Sequence, residues 1–234
     1  MSEPLQSAQF TTIGLLGGSF DPIHVGHVAL ARAASNALQL DEVQLLPAGQ
    51  PWQKAHLKTP ATDRLAMTEI AANAFPNFPD SATRLSVNTI EIGSDKPTYT
   101  VETLETLYKA AAAEKSLKPK RYVLIIGSDQ LRNFATWHRY QDILKFAHIA
   151  VTQRESVSMQ GLPPDVEALV STFGRDALSD SLAGSLVYFR MPPVAVSSTA
   201  LRMALKANSP QTALVSHLLP AGVFKYISDH KLYK

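Results

Sequence analysis

His24 and His27 close the run Gly17-Gly18-Ser19-Phe20-Asp21-Pro22-Ile23-His24-Val25-Gly26-His27. Imidazoles titrate near neutral pH and carry N–H donors. In the first turn of a helix, residues three apart share a face. The run follows the apolar stretch Ile13-Gly14-Leu15-Leu16, which places the two glycines at the end of a predicted strand and the histidines at the start of the next helix. Glycines let backbone approach a ligand closely, and amides at a helix start attract anions. The chemistry this pattern suits is phosphate binding. Other readings exist: Gly-Gly as a plain turn, each histidine as a surface or satisfied core residue, or the pair as half of a metal site. A metal needs further ligands. The chain has no cysteine, and His56, His138, His148, His217 and His230 are scattered. Gly14-Leu15-Leu16-Gly17-Gly18-Ser19 does not fit the dinucleotide fingerprint, and no Gly-Lys-Ser/Thr follows, so a P-loop is excluded.

A second group lies far along the chain, in Val196-Ser197-Ser198-Thr199-Ala200-Leu201-Arg202. Ser198 reads as a helix cap, and Leu201 and Leu205 as a buried stripe four apart. Hydroxyls and amides cluster there, and Arg202 adds an always-charged fork one turn inward. Such a helix start can hold a polyphosphate, although alone it is equally an ordinary capped surface helix. Asp129, in Gly127-Ser128-Asp129, is a carboxylate placed to accept ribose hydroxyls, to cap a helix, or both. Trp137 offers a flat face to an aromatic ring or serves as a core anchor.

These groups need a scaffold to hold them. Strand patterns cover Thr11–Leu16, Glu42–Leu46, Arg84–Ile92, Tyr122–Ile126, His148–Thr152 and Leu186–Phe189. Helical patterns cover Val25–Leu38, Asp63–Ala74 with Thr62 as its cap, a helix opening at Thr100, and Asp165–Phe173. The alternation predicts an α/β fold of Rossmann-like type, a parallel sheet with helices on both faces. In such a sheet ligands bind beyond the carboxyl ends of the strands. Gly17-Gly18, Pro47-Ala48-Gly49 and Gly127-Ser128-Asp129 all follow strand ends, so they are expected on one rim.

Composition narrows the class. The 234 residues suit one domain, with residues 1–10 as a loose tail and 11–234 as a single domain ending in a helical part. Hydrophobic residues make up 45% and charged residues 18%, as in a globular chain. A net charge of +2 gives no case for bulk nucleic-acid binding. No apolar run nears the ~20 residues of a membrane span, and the first ten residues hold no signal-peptide core. With no cysteine, the expectation is a cytoplasmic protein without disulfides.

The eleven-residue run resembles the signature of the HxGH nucleotidyltransferases, in its nicotinate mononucleotide adenylyltransferase branch. Ser197-Ser198-Thr199-x-x-Arg202 is similar to that family's C-terminal phosphate signature, and Pro97-Thr98-Tyr99-Thr100 to its Pro-Ser-Tyr-Thr segment. The resemblance extends from Ile13 to Tyr233 and is weakest over 156–184. It implies adenylyl transfer from ATP to nicotinate mononucleotide, with Mg²⁺ accompanying ATP. His24, His27 and Arg202 are implied as catalytic, and Gly17, Gly18, Ser19, Phe20, Gly127, Asp129, Ser197, Ser198 and Thr199 as further ATP contacts. Ser19, Lys54, Thr100, Trp137 and His138 are implied around the mononucleotide, with Trp137 stacked on its pyridine ring and the amides of Thr100 and His138 on its carboxylate. The partners are thus small molecules, with neither nucleic acid nor membrane, and a homo-oligomer is left open. Trp52 and Gln53 stand where the family has Pro and His, which removes any histidine role there. Arg64 matches a family arginine but reads equally as a solvated helix residue. The rivals are pantetheine-phosphate adenylyltransferases and cytidylyltransferases, which share the His-x-Gly-His core, and a non-catalytic nucleotide sensor on the same fold.

Overall fold

The apolar run after Phe10 forms strand β1 (Thr11–Gly18), paired in parallel with β2 (Glu42–Pro47) on one side and β4 (Lys120–Gly127) on the other. The computed structural model describes residues 9–51, 57–78, 82–94, 96–114, 116–153, 161–206 and 215–233. Among these, β3 (Arg84–Val87), β5 (His148–Gln153) and β6 (Leu186–Arg190) complete a six-stranded, all-parallel sheet of order β3-β2-β1-β4-β5-β6. Strand order reverses between β1 and β4, which is where a parallel sheet opens a crevice at its carboxyl edge.

Alternation along each strand divides the core between two faces, as period-two geometry requires. Val43, Leu45, Val123, Ile125 and Val187 point to one face. There they meet α1 (Val25–Leu38), α2 (Ala61–Ala74), α7 (Ser198–Lys206) and α8 (Val223–Asp229). Ile13, Leu15, Tyr122, Leu124, Ile126, Ile149 and Val151 point to the other. They meet α3 (Thr100–Ala113), α4 (Ser128–Arg132), α5 (Ile143–Phe146) and α6 (Pro164–Phe173). The expected α/β architecture with helices on both faces is therefore present. No helix of the described residues is long and apolar enough to cross a membrane.

Most strands run one or two residues beyond the ranges read from the sequence, and three other boundaries differ for local reasons. α2 begins at Ala61 with Pro60 as its N-cap, so Thr62 lies inside the first turn and caps nothing. β3 stops at Val87 rather than Ile92. The Asn88 carboxamide accepts the Ile90 amide at 3.0 Å, and the Ile92 amide bonds back to Thr89 at 2.8 Å, so the alternating residues after Val87 curl into a turn. Phe10, grouped with the tail by sequence, is buried and lies 5.0 Å beneath the Arg121 guanidinium.

Candidate functional site

β1 delivers Gly17 and Gly18 to the carboxyl edge, and the chain then buries Phe20, Asp21 and Ile23 before α1 begins. His24 is the N-cap of α1, in extended conformation. The His27 Nδ1 accepts the His24 backbone N–H at 3.1 Å, and the His24 ring turns toward the His27 amide in return, closing a capping box made of two imidazoles. Their rings stack 3.7 Å apart, and Phe20 packs edge-on against His27. A nitrogen that accepts an N–H carries no proton, so the neutral His27 ring holds its proton on Nε2. Helix capping thus also selects the tautomer.

The second motif docks directly on the first. The Ser198 hydroxyl donates to the Pro22 carbonyl at 3.0 Å across 176 positions. Arg202 Nη1 donates to the Asp21 carbonyl at 2.6 Å across 181 positions. A Cβ on Gly26 would lie 2.8 Å from Val196, so the first turn of α1 and the approach to α7 are in close contact. The cap of α7 is Ser197, whose Oγ accepts the Ala200 amide at 3.2 Å; this replaces the sequence assignment to Ser198. The Ser198 hydroxyl proton is committed to Pro22, so what Ser198 offers an anion is its backbone N–H. Arg202 Nη2 donates to Thr199 Oγ1 at 3.3 Å.

Arg64 resolves in favour of structure over solvation. It is 2% exposed, and its guanidinium donates to the carbonyls of Ser19 (2.9 Å), Ala48 (2.6 Å), Gly49 (2.9 Å) and Thr59 (3.3 Å). One side chain thereby ties the segment after β1 to the segment after β2 and to the approach to α2. Burial pulls its pKa down, opposed by the charge of Asp21. The sequence did carry a signal: Arg64 shares the inward stripe of Met67, Thr68 and Ala71, where a solvated residue has no place.

The other half of the rim is built by β4, α3 and the turns after α4. Gly127 is the N-cap of α4, and Asp129 stands exposed in the first helical turn, so it is not the cap. A Cβ on Gly127 would overlap Asp129 Oδ1, so glycine is required for that carboxylate to sit where it does. Trp137 is half-buried against Phe134, with ring centroids 5.2 Å apart; its buried indole N–H has no partner among the described residues. His138 is exposed and packs 4.5 Å from the Tyr99 ring. Tyr99 is the N-cap of α3, and the first amides to bond back to it are Glu102 (3.0 Å) and Thr103 (3.2 Å), so the Thr100 amide precedes the helical ladder. The Thr98 amide donates to the Gln50 carbonyl at 3.1 Å, joining this helix start to the segment after β2. Glu91 accepts from Thr103 at 2.9 Å, and burial holds its carboxyl above the usual carboxylate range. A cleft of about 400 Å³ opens here, lined by Gly49, Pro51, Thr59, Arg64 and Pro97 among others. Trp52, Gln53 and Lys54 lie outside the described residues.

Two residues of the site had no signal in the local sequence. Asp21 is buried; its Oδ1 accepts the Tyr233 hydroxyl at 2.7 Å, and its Oδ2 lies 3.7 Å from Arg202 Nη1. The structure therefore docks the stretch of Ser197, Thr199 and Arg202 on the segment that carries Asp21, His24 and His27, with Gly127 and Asp129 at the end of the neighbouring strand β4. Thr100, Trp137 and His138 belong to the segments on the opposite face of the sheet. Two guanidiniums near one buried carboxylate, beside a helix start, favour an anion. Among the described residues no three His, Asp or Glu side chains are grouped to hold a metal.

Comparison with known proteins identifies the family. Residues 15–204 match the cytidylyltransferase-like family. A Bordetella avium protein is 42% identical over 222 residues, which is 95% of this chain and 98% of that protein. A Pseudomonas fluorescens protein is 36% identical over 228 residues, 95% of this chain and 97% of that protein. Both bear the name "probable nicotinate-nucleotide adenylyltransferase". The solved nicotinic acid mononucleotide adenylyltransferase of Plasmodium falciparum, complexed with NaAD, superposes with a TM-score of 0.71 at 17% identity, covering 95% of this chain and 97% of that one. That likeness is one of fold.

Proposed function

The chain belongs to the nicotinate-nucleotide adenylyltransferases among the cytidylyltransferase-like nucleotidyltransferases, and from that premise we propose that it transfers the adenylyl group of ATP to nicotinate mononucleotide, releasing pyrophosphate and deamido-NAD. The observation that carries this reading is the direct seam between the two phosphate motifs: Ser198 bonded to Pro22 and Arg202 to Asp21, beside the β1/β4 switch point. Neither motif alone specifies a triphosphate; joined, they provide donors along its whole length.

The 5′-phosphate of the mononucleotide attacks the α-phosphorus of ATP in line. One P–O bond forms, the α–β bridge breaks, and pyrophosphate carries away the electron pair. No side chain acts as nucleophile; catalysis is positioning and charge stabilisation. The Nε2–H of His27 donates to the α-phosphate as its charge grows, with His24 beside it. Thr199, Arg202 and the amides at the start of α7 take the departing β- and γ-phosphates. Gly17, Gly18, Ser19 and Phe20 line the approach of the triphosphate, and Gly127 and Asp129 receive the nucleoside. Mg²⁺ would arrive with ATP as part of the substrate and would offset the negative charge of the triphosphate.

The acceptor sits toward α3. Trp137 stacks on the pyridine ring, Lys54 and Ser19 meet its phosphate, and the amides of Thr100 and His138 bind the carboxylate. A carboxylate accepts from both amides, whereas the NH₂ of nicotinamide faces the same donors and leaves one unpaired, at ~1–3 kcal/mol. We therefore expect kcat/KM for nicotinate mononucleotide to exceed that for the nicotinamide form by at least ~100-fold, or about 2.7 kcal/mol. Steady-state kinetics with both substrates tests this. Equal use of the two removes the amide pocket and leaves either pyridine nucleotide as acceptor.

A further inference from the structure

Tyr233 lies in the turn after α8, 212 positions from Asp21, yet its hydroxyl ends 2.7 Å from Asp21 Oδ1. We propose that Tyr233 is a positioning residue for ATP: its hydroxyl holds the Asp21 carboxylate so that the Arg202 guanidinium stays open to the β- and γ-phosphates. This rests on the reading of Arg202 given above.

Asp21 has two different contacts with Arg202. Its backbone carbonyl accepts Nη1 at 2.6 Å, which orients the side chain. Its carboxylate Oδ2 stands 3.7 Å from the same nitrogen, well beyond the ~2.7–2.9 Å of a charge-assisted hydrogen bond. A buried carboxylate beside a guanidinium closes onto it unless something else engages its oxygens. That engagement comes from Tyr233. Its phenol is pushed up by burial and by the Asp21 carboxylate, so it keeps the proton it donates. Arg64 supplies a second positive charge near Asp21. The carboxylate is thus balanced without consuming Arg202. Without the Tyr233 hydroxyl, Asp21 is free to turn and pair with Arg202 at contact distance, which neutralises the fork and draws it away from the phosphates. The ring itself packs on the core, so Tyr233→Phe keeps that packing and removes only the hydroxyl's bonds, to Asp21, to Thr59 and at 4.0 Å to Met67 Sδ.

The test is Tyr233→Phe, measured by calorimetric titration with ATP and with AMP, alone and combined with Arg202→Ala, and by steady-state kinetics. AMP lacks the β- and γ-phosphates and serves as the internal control. We expect Tyr233→Phe to weaken ATP about fivefold or more and AMP by less than about twofold, with KM for ATP rising more than kcat falls. In the Arg202→Ala background the same change should add nothing, because the group through which Tyr233 acts is gone. Equal losses for ATP and AMP, an effect that adds fully to Arg202→Ala, or no effect at all would each overturn the proposal. Arg202→Ala by itself separates the two ideas. If it weakens ATP selectively while Tyr233→Phe is silent, only the Tyr233 role falls. If it does not, the assignment of Arg202 falls and the Tyr233 proposal with it.

Discussion

At His27 a backbone bond decides which nitrogen can do chemistry. Nδ1 accepts the His24 amide at 3.1 Å, so the neutral ring presents its proton from Nε2, on the side away from the helix. A donor aimed at charge that develops on phosphate acts mainly in the transition state. His27→Ala should therefore lower kcat by ~100- to 1,000-fold, about 2.7–4 kcal/mol by analogy with an oxyanion-hole donor, while the ATP dissociation constant changes little. Single-turnover rates and equilibrium titration on the same variant check this. An unchanged kcat would remove His27 from the chemistry. Because the substitution also removes half of the capping box, a loss of thermal stability of ~1 kcal/mol should accompany it.

Among the elements, the segments after β1 and β2 and the approach to α2 behave as one unit because Arg64 holds four of their carbonyls. Gly49 also lets this unit approach the turn after β3: a Cβ there would overlap the Glu91 carbonyl. Arg64→Leu leaves those carbonyls short of donors in a buried place, which costs ~1–3 kcal/mol for each that stays dry. The prediction is a fall of at least ~2 kcal/mol in unfolding free energy, with KM rising for both substrates if, as proposed, these segments line the sites of both. Lys in the same place should recover little, because an ammonium cannot span carbonyls set around a planar fork. Denaturant titration of the two variants, followed by kinetics under folding conditions, distinguishes this from simple loss of a surface charge, which would leave both quantities near wild type.

Across the whole molecule, the amino edge of the sheet has its own polar lock, at the end opposite the candidate site. His148, fully buried at the start of β5, accepts the Ser185 amide on Nδ1 at 3.0 Å and places Nε2 3.0 Å from the Ser181 carbonyl. Burial lowers its pKa, and the Arg121 charge adds to this, against the Ser181 carbonyl, which raises it. A folded-state pKa below the ordinary histidine value of 6.5 means that the unfolded chain binds the proton more tightly. The stabilisation is complete above that value and is lost as pH falls toward and through the folded pKa. Urea unfolding at about pH 8 and about pH 5.5 should show wild type losing more stability on acidification than His148→Gln. Equal pH dependence in the two proteins would show that His148 does not titrate on unfolding.

Periodicity and punctuation made most of the scaffold readable from the chain. The apolar run Tyr122–Ile126 belongs to a strand covered on both faces, and Ala- and Leu-rich Val25–Leu38 to a helix packed on one. The boundaries that moved, at Thr62 and after Val87, are places where a proline or an asparagine carboxamide settles local bonding, and alternation cannot see that. The two candidate phosphate-binding stretches, His24–His27 and Ser197–Arg202, were readable because their donors are crowded into short runs, where spacing sets much of the local geometry. What joins those stretches was not. Arg202 meets Asp21, and Tyr233 reaches the same carboxylate, through bonds that cross nearly the whole chain and leave no periodic trace. Arg64 looked like a solvated charge until its helix turned it inward onto carbonyls of three separate segments. A hydrogen bond between distant positions depends on where folding puts two backbones, and one-dimensional pattern carries only what neighbours along the chain impose on each other. The kinds of group at the rim are thus written in the residues. Their mutual orientation, and with it the state of the Arg202 fork, exists only once the sheet has closed β1 against β4.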